Sequence, residues 1–287
     1  MPKLVPLAEA IQTHVKDSMS VALEGFTHLI PFEAGHEIIR QGIRELTLIR
    51  MTPDIIYDQL VGVGAAKKLV FSYAGNPGAG LLHRVRDAVE NGWPNTLALE
   101  EHSHAAMANA YHAGASNMPS ATFRGYRGTD LVTVNSNICF VMCPFTNERL
   151  ACVPSLRPDV TIIHAQRADR AGNVMIDGIV GVQKEAVLAA KTAIVTVEEV
   201  VDDLREYSEL SSNACVLPNW SIAAVCHVPG GATPSYATGF YPRDNDFYLE
   251  WSNISADRDR FTAWIDANVL QTPVAKNTSH LTAGATT

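Results

Sequence analysis

The chain reads as an α/β protein with an open, mainly parallel sheet and flanking helices, interrupted near its middle by a β-rich excursion. Three observations predict this. Over the first hundred residues strand-like apolar runs alternate with helical segments of about ten residues, which implies βαβ units. A second series of the same kind begins at Val160. The length of 287 residues, with 47% hydrophobic and 18% charged residues, gives the balance of a globular chain with ample core.

Leu7–Val15 has helical spacing, and Met19–Leu23 is a strand. That strand runs into Gly25-Phe26-Thr27 and reaches Pro31 just ahead of a helix over Phe32–Gln41, which Gly42 closes. A strand, a glycine turn and a helix start let a ligand approach backbone N–H groups closely. The turn lacks the second and third glycines of G-x-G-x-x-G, which weakens a dinucleotide reading. Next come a strand at Glu45–Ile49, a helix over Asp54–Val61, a strand at Lys68–Ser72 and a helix over Leu81–Asn91. Thr96–Glu100 then reads as a strand and Ala105–His112 as a helix.

From 118 to 153 the chain is turn-rich, with β-prone runs at Leu131–Val134 and Ile138–Cys143. The second series has strands at Val160–His164 and Ala193–Val197 around a helix over Lys184–Lys191. Further strands are expected at Cys215–Leu217 and Ala223–Val228. Arg258–Val269 closes the pattern as an amphipathic helix, with Phe261, Trp264 and Ile265 at three- and four-residue spacing. Residues 1–270 therefore form one domain, and 271–287, mostly small and polar, read as a disordered tail.

The formal net charge of −8 argues against a nucleic-acid or membrane-surface binder, though a local basic patch could still hold an anion. The five cysteines are loosely spaced with no CxxC pair; Cys139 and Cys143 sit in an apolar strand-like run and read as small buried hydrophobes rather than metal or redox groups. No signal-peptide pattern opens the chain and no apolar run has membrane length, so a cytoplasmic, reduced location is expected.

Three segments carry candidate chemistry. His164 through Val174, HAQRADRAGNV, follows a strand; Asp169 with Gly172-Asn173 signals a turn, while His164 and Asp169 could line the carboxyl edge of the sheet. Glu100-Glu101-His102-Ser103-His104 lies just past a strand end. It could do acid–base work, or be a helix N-terminus capped by Ser103. His102 and His104 could be metal ligands, but no third ligand stands at metal-site spacing, so no metal is expected. Val228 through Pro234, VPGGATP, is a rigid loop that reads as a tight corner, with backbone N–H groups able to wrap an anion.

The order of these segments carries more than any one of them. GFTxxxP, ELTLIR, KKLVFSYAG, EEHSH, RGTDL, HAQRADRAGNV, VTVEEVVD and VPGGATPSYATGFYPRDNDF follow one another from Leu7 to Val269. In that succession the chain resembles the α subunit of a class I coenzyme A transferase, of the glutaconate CoA-transferase kind. The resemblance implies a CoA-transferase-like fold and a partner β subunit, in a heterotetramer or larger assembly. It also implies an active site at the α–β interface and no tightly bound cofactor, the CoA thioester being a substrate. Its reaction moves CoA from an acyl-CoA to a free carboxylic acid through a glutamyl-CoA intermediate on the β chain. The paired glutamates here, in LEEHS and TVEEV, do not resemble the nucleophile context of a β chain.

On that resemblance Gly25, Phe26 and Thr27 are expected to wall the acyl pocket, and His28, in a turn position where a smaller or basic residue is usual, to bind substrate beside them. Glu101 and Ser103 are expected to touch the substrate across the interface, Glu101 as the candidate catalytic residue of this chain. Thr233 stands where the family pattern suggests histidine. An alternative on the same fold is the α chain of a hydrolase that opens a ring in a cyclic CoA thioester, as in steroid-ring degradation. There an α-chain glutamate acts directly, with water as co-reactant. A ligand-sensing domain is a third reading; it would be expected to carry a helix-turn-helix or a basic end, and Met1–Ser18 has only Lys3 and Lys16 as cations.

Overall fold

The computed structural model describes residues 3–76, 78–207 and 213–271. The expected tail at 271–287 lies, except for Gln271, outside the described residues. The first half follows the alternating pattern: β1 (Lys3–Leu4), α1 (Leu7–His14), β2 (Ser20–Glu24), α2 (Phe32–Arg40), β3 (Leu46–Ile49) and α3 (Ile55–Gly62). It continues with β4 (Ala66–Phe71), α4 (His83–Glu90), β5 (Ala98–Glu101) and α5 (His104–Ala115). The excursion holds β6 (Ser120–Phe123), a short helix α6 (Leu131–Val134), β7 (Cys139–Met142) and β8 (Arg149–Pro154). Then come β9 (Val160–Asp169), β10 (Val174–Ile176), α7 (Gln183–Ala189), β11 (Thr192–Val201), β12 (Cys215–Leu217) and β13 (Ala224–His227). The chain closes with α8 (Asn245–Ala256) and α9 (Arg258–Ile265), the latter running into a π-turn over Asp266–Leu270.

The main sheet has the order β1-β13-β11-β9-β2-β3-β4-β5, every neighbouring pair parallel. β10 and β12 extend it antiparallel beside the end of β9. Residues of α1 to α4, α8 and α9 pack with Val21, Leu23, Leu48 and Ile162 on one face. On the other, Met107 and Tyr111 of α5 and Ala186 of α7 meet Ala22, Ile49 and Val70. Burial on both faces is why these strands read as continuous apolar runs rather than alternating ones.

The chain leaves β2 towards β3 on one side, and leaves β9 towards β11 on the other. β2 and β9 therefore flank the topological switch point, where the carboxyl ends of the strands open a crevice for ligands.

Two readings from the sequence are corrected. Leu131–Val134, β-prone by composition, is a helical turn: Leu131 N donates to Thr129 Oγ1 at 3.2 Å and the Thr133 hydroxyl to Asp130 O at 2.7 Å. Among the described residues no strand pairs with it, and β propensity acts only through such neighbours. The strands expected to end at His164 and Val197 run on to Asp169 and Val201, because β9 and β11 continue pairing past that point, Glu199 opposite Arg167. Asp169 still makes the foreseen turn, its carboxylate accepting Asn173 N at 2.8 Å.

Candidate functional site

The site begins with a turn that only glycine can start. At Gly25 a Cβ would stand 2.7 Å from Leu29 O, 2.8 Å from His28 O and 2.9 Å from Ile30 Cα, all backbone atoms of the turn itself. Two non-glycine residues follow in the left-handed region, Thr27 at φ 63° and Leu29 at φ 51°. Such conformations persist only when surrounding structure over-determines them. That structure is the VPGGATPSY loop: Leu29 N donates to Tyr236 O at 3.0 Å, Ile30 N to Ser235 Oγ at 3.1 Å and Glu33 N to Gly231 O at 3.0 Å. The loop is thus the corner the sequence suggested, and its work is to brace the first turn.

The brace is anchored by a buried network. Glu198 on β11 accepts Gly230 N at 2.7 Å, the Tyr241 hydroxyl, and a bond from His164 Nε2 at 2.6 Å. Burial alone would raise the Glu198 carboxyl, but His164, Tyr241 and Gly230 hold it below its ordinary value. His164 is fully buried and satisfied, with Nδ1 2.8 Å from Thr196 Oγ1. It is a core anchor rather than a lining of the crevice.

Above the turn lies a cavity of about 260 Å³ at the carboxyl ends of β2 and β3. Gly25, Phe26, Thr27 and Ile30 form one wall; Arg50, Thr52 and Asp54 come from the loop after β3; His104 opens α5; Arg243 and Tyr248 come from the C-terminal segment. Arg50 and Asp54 are almost wholly buried, at 2% and 1% exposure, and paired at 3.0 Å. Arg50 Nη2 also donates to Gly25 O at 3.0 Å, tying the turn to the next strand end. Burial pushes the Asp54 carboxyl up, against the pull of Arg50. His104 Nδ1 is 3.0 Å from Ser72 Oγ, whose proton goes to Met51 O at 2.6 Å. The hydrogen-bond pattern therefore assigns the proton to Nδ1 and leaves Nε2 to accept from the Thr52 hydroxyl at 3.2 Å.

Behind the cavity Glu24 ends β2 on the α5 face, 2% exposed, its Oε1 accepting the Tyr111 hydroxyl at 2.8 Å. Burial pushes its carboxyl up to about 7, against the lowering effects of Arg50 and the Tyr111 bond. A group whose folded pKa exceeds its unfolded 4.5 withdraws stability as pH rises from 4.5 through 7. Glu24→Gln is therefore expected to flatten the pH dependence of stability across that window and to raise the melting temperature above pH 7. Melting curves of both proteins from pH 5 to 8.5 check this; parallel curves would refute it.

Of the residues singled out from sequence, Gly25, Phe26 and Thr27 meet at the cavity. His28 turns the other way: it is fully buried, with Nε2 2.6 Å from Ile179 O and its ring stacked on Tyr236 at 5.0 Å. Ser103 caps α5, its Oγ accepting Ala106 N at 3.1 Å. Glu101 is exposed on the edge strand β5. Its neighbour Glu100 is held down to about 2 by its His102 bond, against burial, with Lys68 2.6 Å away. Arg50, Asp54 and Arg243 escaped sequence reasoning. The one local signal was an arginine directly after an apolar strand, with an aspartate four residues on. Among the described residues no cluster of three His, Cys, Asp or Glu could hold a metal ion, and no helix is long and apolar enough to cross a membrane.

The cavity at the carboxyl ends of β2 and β3 is small and partly apolar, lined by two arginines and the braced glycine turn. The coenzyme A transferase family model matches residues 5–227, and the chain belongs to that family, as an enzyme chain of the alpha type. It is 62% identical over 95% of both chains to the A-type subunit of 3-oxoadipate CoA-transferase from Pseudomonas knackmussii. The structure of glutaconate coenzyme A-transferase from Acidaminococcus fermentans superposes with a TM-score of 0.86 at 29% identity, covering 94% of this chain and 89% of that one. The decarboxylase AibA/AibB is similar as well, with a TM-score of 0.78 at 26% identity over 92% and 98% of the two chains. The two transferase relatives favour the transferase over the ring-opening reading.

Proposed function

We propose that this chain forms the acyl-pocket half of a heteromeric enzyme that moves CoA from an acyl-CoA to a 3-oxo dicarboxylic acid of the 3-oxoadipate type. The observation that carries the reading is the arginine-lined cavity at the carboxyl ends of β2 and β3, in a chain 62% identical to part of a transferase named for that acid. The covalent step belongs to a glutamate of a partner β subunit. That carboxylate attacks the thioester carbonyl, expels CoA thiolate and forms an acyl–glutamyl anhydride. The thiolate then attacks the glutamyl carbonyl, releasing the first acid and leaving a glutamyl-CoA thioester. The incoming carboxylate reverses the two steps.

The carboxylates of this chain near the cavity are poor candidates for that attack. Asp54 is locked onto Arg50, and Glu24 lies behind the wall with its pKa near 7. The role of this chain is to hold the acyl group, with Gly25, Phe26 and Thr27 as wall and Glu101 and Ser103 at the rim that meets the partner.

The test is co-expression with a β-type chain, incubation with acyl-CoA, borohydride reduction and peptide mass spectrometry. A reduced glutamate on the partner is the expected result. Thioester consumed by water with no adduct on either chain would sink the transferase mechanism. In the transferase, Glu101→Ala is expected to raise KM more than it lowers kcat, since a residue at the rim that only touches substrate acts on binding rather than on the chemical step.

A further inference from the structure

We propose that Cys139 and Cys152 are a modification site, a cross-strand thiol pair that closes reversibly to a disulfide and fixes the excursion against the edge of the main sheet. The sequence reading takes Cys139 and Cys143 for small buried hydrophobes, and the structure corrects it: Cys139 is exposed, Cys143 and Cys152 are half-buried, and all three are free thiols. β7 and β8 pair antiparallel with Cys139 directly opposite Cys152. Residues so placed have Cα atoms about 4.5–5.5 Å apart, inside the roughly 4.4–6.8 Å that a disulfide spans. Their side chains leave the same face of the sheet. Here it is the outer face, because Ala151 and Val153, which alternate with Cys152, turn into the core of the excursion. Cys139 Sγ donates to Cys152 O at 3.6 Å, and the two thiols stand within hydrogen-bonding reach. Joining them asks for side-chain rotation rather than backbone movement.

Cys143 supplies the contrast. It opens the turn between β7 and β8, where its N–H donates to Glu148 O at 2.9 Å. Hydrogen bonds from Thr146 and from the backbone of Phe145 hold its thiol below the ordinary value, whereas burial and the neighbouring Cys152 push the Cys139 thiol up. What singles out Cys139 and Cys152 is therefore proximity, not acidity. The oxidant is a low-molecular-weight disulfide such as oxidised glutathione. The Cys139 thiolate attacks one of its sulfurs and expels a glutathione thiolate; the Cys152 thiolate then attacks Cys139 Sγ of the mixed disulfide and expels the second. Two protein thiols are oxidised, one small disulfide is reduced, and the two protons pass to the departing glutathiones. The link closes residues 139–152, whose entry is already tied to the edge strand: Asn135 Nδ2 donates to Glu101 O at 2.7 Å, and Asn137 N to Asn135 Oδ1 at 2.9 Å. Closing such a loop opposes local unfolding of the excursion.

The experiment treats the co-expressed complex with oxidised glutathione, blocks the remaining thiols and maps the peptides by mass spectrometry. A linked Cys139–Cys152 pair, lighter by two hydrogens, is expected in wild type, reversed by dithiothreitol and absent from Cys139→Ser and Cys152→Ser. Cys143 is expected to stop at the mixed disulfide. Trypsin cleavage at Arg149, exposed on β8 between the two cysteines, is expected to slow by roughly 10-fold in oxidised wild type and not in Cys139→Ser. A Cys139 that ends as a mixed disulfide beside a reduced Cys152 overturns the pair, as does a link that joins Cys143 instead, or a complex in which neither Cys139 nor Cys152 reacts. A linked pair with an unchanged cleavage rate overturns the fixing of the excursion. The transfer reaction proposed above does not enter the inference and stands or falls apart from it.

Discussion

Replacing Gly25 by alanine is expected to slow CoA transfer by the assembled enzyme on the order of 100-fold and to lower its stability. The added methyl would stand within 3 Å of three backbone atoms of the same turn, none of which can swing aside as a side-chain tip can. The turn cannot open as a whole either. Leu29 N is bonded to Tyr236 O and Ile30 N to Ser235 Oγ, while Gly25 O is held by Arg50. Overpacking of this kind costs about 1–3 kcal/mol, and a displacement of about 1 Å at a positioning element costs on the order of 100-fold in rate. Melting temperature and kcat/KM of the co-expressed complex measure the two effects. A Gly25→Ala enzyme with wild-type values would show that the turn can relax, and that its tightness has no part in holding substrate.

The second large effect is expected at Arg50. Arg50→Met leaves Asp54 buried without its counter-ion and Gly25 O without its donor, and breaking a buried pair from one side costs about 3–5 kcal/mol. The sign with pH follows from burial. Without Arg50 the Asp54 carboxyl rises further above its unfolded 3.8. The folded state then binds a proton that the unfolded state has lost, so the deficit grows as pH climbs above that value. Arg50→Met should therefore lose more stability at pH 8 than at pH 5. The double variant Arg50→Met, Asp54→Leu removes both charges and should regain much of the stability without regaining activity, since the tie to Gly25 stays broken. Denaturant melts of wild type, Arg50→Met, Asp54→Leu and the double variant close the cycle. Equal losses at both pH values, or no recovery in the double variant, would show that the pair is not what this arginine contributes.

These two residues divide the site by how each could be known. Gly25 was legible: a glycine straight after an apolar strand and before a helix start is a local pattern. The alternation of strands and helices was legible for the same reason, because burial on both faces of a parallel sheet writes itself as short apolar runs. Where tertiary context overrode local preference the reading failed. Leu131–Val134 has β-branched composition but no strand beside it, and coils into a turn. α8 went unread although its start carries a cap, Asp244 accepting Phe247 N at 2.9 Å. Its burial rests on Tyr248 and Trp251, whose indole donates to Asp58 from far along the chain.

The amino-acid sequence by itself determined the fold class, the strand–glycine–helix unit at residue 25, the excursion in the middle and the family resemblance. All of these are recorded in the spacing of neighbouring residues. Only the tertiary structure decided which side chains share the cavity. It brought Arg50 after β3, His104 at the start of α5 and Arg243 beyond β13 to one place, turned His28 into the core and left Glu101 on an edge. The physical reason is that convergence depends on strand order. The β2–β9 switch point sets which strand ends lie together, and a chain's local periodicity reports how each segment is buried but not which segment lies beside it.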